Sequence, residues 1–271
     1  MFKSLIELNK ERVRYRFEKL ITFLVIKFHL EDHLTQVRRD LIGKKVFLNY
    51  SGIVAFGEFQ GVKLTGKSKW SGFKDTGSKI LGLYEQQVIK WIVNQPQQFD
   101  LFVDVGAADG FYAIALLKSK KIERAKTFEI SRDDRIICEE MSILNSVYNK
   151  ISIEAEARRT DLINLLSTPI STLVLVDIEG DEFDLINLDL LETARNHSMI
   201  IEVHALQKTE DFEKFYKLCQ SFHNCEILTS SERTFPLDDF ISGLTDNERA
   251  LLVSEGRQFN MHWFALTPRG K

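Results

Sequence analysis

Apolar residues recur along this 271-residue chain in two different rhythms. From residue 1 to about 41, Val13, Phe17, Leu20, Leu24 and Phe28 fall at steps of three and four, with no glycine or proline before Gly43. That spacing predicts a helix with one apolar stripe. From Lys45 to Phe59 the residues are β-prone, and Gly57 to Gly77 holds five glycines among Lys63, Lys67, Lys69, Trp70 and Lys74. This stretch reads as a hairpin and a mobile surface loop. Gly82 to Val93 returns to a helical pattern that Pro96 closes. Beyond it, short apolar runs alternate with amphipathic ones. Strands are predicted at 101–105, 126–130, 151–155, 172–178 and 199–204, and helices at 111–120, 132–147, 159–167, 181–195 and 209–222. Two further strands, 225–230 and 261–267, flank a helix near 245–255. Alternation of this kind makes a doubly covered α/β sheet, mostly parallel, in the Rossmann-like manner. The chain divides into an extension, residues 1–80, and a main domain, residues 81–271.

Composition narrows the class. A hydrophobic content of 44% and a charged content of 28% are ordinary for a globular protein. The net charge of -3 hides an asymmetry: residues 1–80 hold 16 basic and 8 acidic residues, leaving 20 and 31 for the rest. Leu20 to Phe28, interrupted by Thr22 and Lys27, is much shorter than the roughly 20 residues of a spanning helix. A cytoplasmic protein without a transmembrane segment is expected. Cys138, Cys219 and Cys225 form no even framework and no zinc pattern, and read as buried or neutral thiols. The apolar stripe must pack on something. The main domain or a second copy of the chain comes first, an anionic membrane next, and nucleic acid after that.

The most informative stretch is Phe102 to Ile114, a buried strand ending in an acid, a glycine-bracketed turn and a helix start. Glycine at such a turn permits open backbone angles and close ligand approach. Ligands of open parallel sheets lie outside the carboxyl ends of the strands, and those ends carry acids. The first supplies Asp104 with the Gly106–Gly110 turn, the second Glu129, the third Glu154 or Glu156, the fourth Asp177 and Glu179, the fifth Glu202 and His204. Glu129 can accept from both hydroxyls of a ribose. Asp104 orients the turn or meets an amino group, and Asp109 and Tyr112 line the same pocket. Period two puts Asp177 with Glu179 and Glu202 with His204 on common faces. Grouping so many carboxylates is costly without a proton, a cation or a polar substrate to compensate them.

The spacing Asp104-x-Gly106-x-Ala108-x-Gly110 lacks the third glycine of a dinucleotide fingerprint and resembles the first motif of class I S-adenosylmethionine-dependent methyltransferases. Asp177-x-Glu179-Gly180 with Glu182 and Phe183, then Ile200-Ile201-Glu202-x-His204, resembles the FkbM family of those enzymes, as does Leu81-Gly82-Leu83-Tyr84-Glu85. The resemblance covers about 80–269, and Ala108 departs from an asparagine common in the family. It implies a seven-stranded methyltransferase sheet with its last strand antiparallel. It also implies S-adenosylmethionine as cofactor, held by Asp104, Gly106, Ala107, Asp109, Gly110, Tyr112, Glu129, Glu156 and Asp177.

The activity implied is O-methylation of a sugar or other polyhydroxylated small-molecule or glycan acceptor. His204 is the first choice of base, oriented by Glu202 or Glu179. No metal is assigned; a divalent cation held by Asp177, Glu179 and Glu202 is the alternative use of the acids. Nucleic-acid methylation competes, favoured by the basic extension and opposed by the acidic strand end. A non-catalytic binding or assembly protein on the same scaffold is the third reading.

Overall fold

A computed structural model of the protein describes residues 19, 30–68, 72–204, 209–230, 232–257 and 261–269. The stripe from Val13 to Phe28 and the residue Trp70 lie outside them. The strands are β1 (Phe99–Val105), β2 (Ile122–Phe128), β3 (Ile151–Glu154), β4 (Thr172–Val176), β5 (Ser198–Val203), β6 (His223–Thr229) and β7 (His262–Pro268). They form one sheet in the order β3-β2-β1-β4-β5-β7-β6. Neighbours among the first five run parallel, and β7 is antiparallel to both β5 and β6. All seven predicted strands are present, within a few residues of their expected ends.

The helices of the extension are α1 (Leu30–Asn49) and α2 (Thr76–Ile80), and α3 (Gln86–Asn94) leads from it into the sheet. Those of the sheet are α4 (Phe111–Lys118), α5 (Arg132–Leu144), α6 (Arg159–Leu166), α7 (Glu182–Leu185), α8 (Leu188–Ala194), α9 (Thr209–Phe222), α10 (Asp239–Ser242) and α11 (Asp246–Val253). Burial of both sheet faces explains the near-continuous apolar runs of β1, β4 and β5. Along β1, Phe102 packs on one face with Phe111 and Ile114, while Leu101, Val103 and Val105 pack on the other with Leu162, Leu190 and Phe215. None of the described helices is long and apolar enough to cross a membrane.

Three expectations are corrected. The first helix does not stop at Gly43 but runs to Asn49, so Lys45 to Asn49 are helical rather than β. A Cβ on Gly43 would lie 1.8 Å from the Phe73 carbonyl oxygen, so this glycine serves a close helix-to-chain crossing. No hairpin follows. A single bridge joins Ile53 and Lys63, and Val54, Phe59, Val62 and Leu64 are buried in the same core as Phe102. The expected mobile loop is therefore docked over the described part of its length. Asn145 staples it, accepting from the Lys63 N–H at 2.9 Å and donating to the Lys63 carbonyl at 2.8 Å. Finally, the helix expected over 181–195 is two, because Asn187 caps α8 by accepting from the Leu190 N–H at 3.0 Å.

Candidate active site at the strand ends

The strand order reverses between β1 and β4, where open α/β sheets bind ligands. There the chain leaves β1 through Gly106, whose N–H donates to the Phe128 carbonyl, while the Asp177 N–H donates to the Val105 carbonyl. A Cβ on Gly106 would sit 1.7 Å from the Asp177 oxygen, and one on Gly110 would sit 2.3 Å from Cys138 Sγ. Both glycines are also left-handed, at φ +87° and +76°. Packing alone therefore demands them, and the acids around the turn carry the functional signal.

Glu129, half-buried at the end of β2, accepts from the Ala108 N–H at 2.9 Å with one oxygen and from the Ser131 N–H at 2.8 Å with the other. Asp104 is buried beneath the turn; burial, reinforced by Glu129 and Asp109 and opposed by the Ala113 N–H, pushes its carboxyl up to about 8. Ala107 is buried in the turn, its N–H on the Phe128 carbonyl. Asp109 turns toward the extension. Its oxygens are 3.3 Å from Lys79 Nζ, whose ammonium also lies over the rings of Tyr84 and Phe111. Glu156 joins neither group: it is exposed beyond β3, 4.0 Å from Arg158.

Across the switch point, His204, Asp177, Glu179 and Glu202 converge. His204 Nε2 is 3.7 Å from Asp177 Oδ1, 3.6 Å from Glu179 Oε2 and 3.7 Å from Glu202 Oε1. The orienting contact expected from Glu202 or Glu179 comes instead from Glu182, a wholly buried residue opening α7, whose Oε1 is 2.5 Å from His204 Nδ1. The same oxygen accepts from the Gly180 N–H at 3.1 Å. Burial works to lower the His204 pKa, but Glu182 and the other carboxylates outweigh it and the net direction is up. Burial pushes Asp177 up to about 8, with Glu85 adding to it and Arg257 opposing.

Glu202 is engaged elsewhere. It accepts from Trp263 Nε1 at 3.0 Å and from Arg257. Arg257 also reaches Glu85 at 2.5 Å and Glu255 at 3.1 Å, and Tyr112 Oη donates to Glu85 at 2.5 Å. Burial raises Glu85 and Glu202, and also raises Tyr112 well above its usual range. For Arg257, burial works against the charge, but Glu85 and Glu202 hold it on. Sequence reasoning missed Arg257, which stands in no motif. It placed Glu85 and Glu182 only within the family resemblance.

Non-glycine residues at positive φ are strained. Glu85 (φ +38°), Ala108 (φ +45°) and Glu179 (φ +56°) are three of the six among the described residues, and all three lie in this region. Asparagine tolerates that backbone region better than alanine, so Ala108 carries strain that an asparagine there would ease.

The strand order and the single antiparallel strand define a Rossmann-like methyltransferase fold. No protein family matches the chain by sequence, and no curated protein does. Solved structures do resemble it. The ribosomal protein L11 methylase from Lactobacillus delbrueckii subsp. bulgaricus is 17% identical, with a TM-score of 0.43 over 68% of this chain and 78% of the other. The O-methyltransferase TomG from Streptomyces achromogenes, solved with its methyl donor, is 12% identical, with a TM-score of 0.47 over 68% and 80%. Precorrin 8W decarboxylase from Methanobacterium thermoautotrophicum is 12% identical, with a TM-score of 0.45 over 69% and 90%. Likenesses at this level assign no activity.

Proposed function

We propose that this chain is an S-adenosylmethionine-dependent methyltransferase, acting on an oxygen of a sugar or similarly polyhydroxylated acceptor in the manner of the FkbM-like family. Glu129 carries the reading. It stands at the second strand end beside the switch point, and each of its oxygens accepts one backbone N–H. A carboxylate has about four acceptor sites, so Glu129 retains the capacity to take both hydroxyls of a ribose. The Gly106–Gly110 turn, with Asp109 accepting from the Phe111 N–H, holds the start of α4 in place beside it.

When bound, S-adenosylmethionine supplies an electrophilic methyl group on a sulfonium. The residues of this chain do the rest. Asp177, Glu179 and His204 form the acceptor rim, on which a hydroxyl is oriented and would give its proton to His204 as its oxygen bonds to the methyl carbon and the carbon–sulfur bond breaks, the pair leaving on sulfur. Glu182 fixes the His204 ring, while Arg257 ties Glu202, beside that ring, to Glu85, which accepts from Tyr112 at the start of α4. The convergence of the D-x-E-G and I-I-E-x-H segments on one rim supports this assignment.

Calorimetric titration with S-adenosylmethionine tests the donor half. One site per chain is expected, much weakened in Glu129→Ala, and absence of heat from the wild type overturns the reading. A labelled-methyl screen against sugars, nucleic acids and cell-extract fractions, with mass measurement of the product, tests the acceptor half. Label entering only nucleic acid would replace the sugar proposal.

A further inference from the structure

We infer that Asp177, Glu179 and His204 form a binding site for one divalent cation of the Mn2+ type, at the rim where the acceptor hydroxyl is placed. One oxygen of each acid and the ring nitrogen lie within 4.8 Å of one another. The separations of 3.6 and 3.7 Å from His204 Nε2 are too long for hydrogen bonds. They suit ligands of a shared ion, since bonds of about 2.1–2.5 Å at open angles put ligand atoms about 3.0–4.0 Å apart.

Unsatisfied atoms point the same way. Asp177 Oδ1 is a buried oxygen with no hydrogen-bond partner, and it is the oxygen that faces Nε2. Glu182, wholly buried behind the ring, leaves Oε2 without a partner as well. A buried carboxylate oxygen left unpaired is costly, and a cation would satisfy the one on Asp177. The Glu182–His204 contact fits the pattern in which a carboxylate fixes the tautomer of a metal-ligating histidine. With Nδ1–H donated to Glu182, an unprotonated Nε2 turns its lone pair toward carboxylate oxygens, a repulsive arrangement that a proton on Nε2 or a cation between them relieves.

Glu202, which the sequence offered only in an alternative cation set with Asp177 and Glu179, is excluded from this one. Arg257 and Trp263 occupy its oxygens, and Arg257 thereby sets the limit of the site. The two carboxylates suit Mg2+, Ca2+ or Mn2+, and the imidazole favours a transition ion; Mn2+ is the ion of that oxygen-preferring group that is also a transition metal. The proposal rests on the methyltransferase reading only for its use: an acceptor hydroxyl held at the ion would lose its proton more readily.

The test is a Mn2+ titration of the chelator-treated 271-residue chain, followed by the electron paramagnetic resonance signal of free Mn2+. Uptake of one ion per chain with nitrogen hyperfine coupling from an imidazole is expected. Asp177→Asn and His204→Gln should each abolish uptake, Glu182→Gln should weaken it about ten- to a hundredfold by freeing the ring, and Glu156→Gln should leave it unchanged. Circular dichroism and melting confirm that each variant is folded, and with two ligand variants the test survives the loss of one. No uptake by the wild type, or uptake indifferent to Asp177→Asn and His204→Gln, overturns the proposal. S-adenosylmethionine titrated into the same metal-free samples reports the methyl-donor reading separately.

Discussion

Gly106 and Glu129 show how differently single residues can serve one turn. Gly106 is fixed by its neighbours: a methyl group there meets the Asp177 carbonyl at 1.7 Å in a left-handed backbone. Gly106→Ala should cost about 3 kcal/mol, combining left-handed strain with overpacking. A denaturant midpoint that does not move would show that the β1–β4 crossing is looser than described. Glu129 instead ties the turn to β2 while keeping acceptor capacity. The identities of both residues were legible in sequence because strand, turn and helix are local. Their division of labour was not, since it depends on Asp177, just past the end of β4, lying against the turn.

At the scale of elements, Asn145, just past the end of α5, is the buried staple of the segment from Ser51 to Ser68, beside an exposed Lys67–Glu140 ion pair. Asn145 is buried and makes three hydrogen bonds, two to Lys63 and one to the Met141 carbonyl. Asn145→Ala leaves the Lys63 N–H and carbonyl unpaired and should cost about 1–3 kcal/mol. Hydrogen exchange should show faster exchange at Gly61 and Lys63, with β1 little affected; uniform acceleration across the sheet would contradict a local staple.

The joint of α8, β5 and β6 titrates. His197 and His223 are buried with ring nitrogens on the Leu166 and Ala194 carbonyls, and burial lowers both pKa values. The unfolded chain takes up these protons near pH 6.5, the folded chain only at lower pH. Their contribution is therefore complete above about pH 6.5 and is lost as the pH falls below it. Denaturation at pH 7.5 and 5.5 should show this loss, and a double variant, His197→Gln with His223→Gln, should flatten the slope. An unchanged slope would place the acid sensitivity elsewhere.

At the scale of the whole molecule, Arg257 is the tie. It joins Glu85 before α3, Glu202 on β5 and Glu255 after α11, and Glu255 in turn holds Arg233. Removing one partner of a buried ion pair costs about 3–5 kcal/mol because the other charge is stranded. Arg257→Met should therefore destabilise by that order. Because burial raises Glu85 and Glu202, the deficit should be smaller at acid pH and grow as the pH rises and those carboxyls ionise. Unfolding measured from pH 5.5 to 8 checks this, and a deficit independent of pH would mean that the carboxylates are stabilised by something else.

The strand runs, the glycine turn and the acids at the strand ends were determined by sequence alone, because periodicity, turn chemistry and the burial of apolar residues act over a few neighbouring positions. Tertiary structure decided the rest. It carried α1 through Gly43 to Asn49, where the glycine admits the Phe73 backbone. It docked a glycine-rich loop by way of Asn145, and it chose Glu182 over Glu202 as the partner of His204 by placing Arg257 and Trp263 against Glu202. Each of these depends on which atoms meet across a long stretch of chain, and Arg257 reaches residues 172 and 55 positions away. Local pattern contains no record of such meetings.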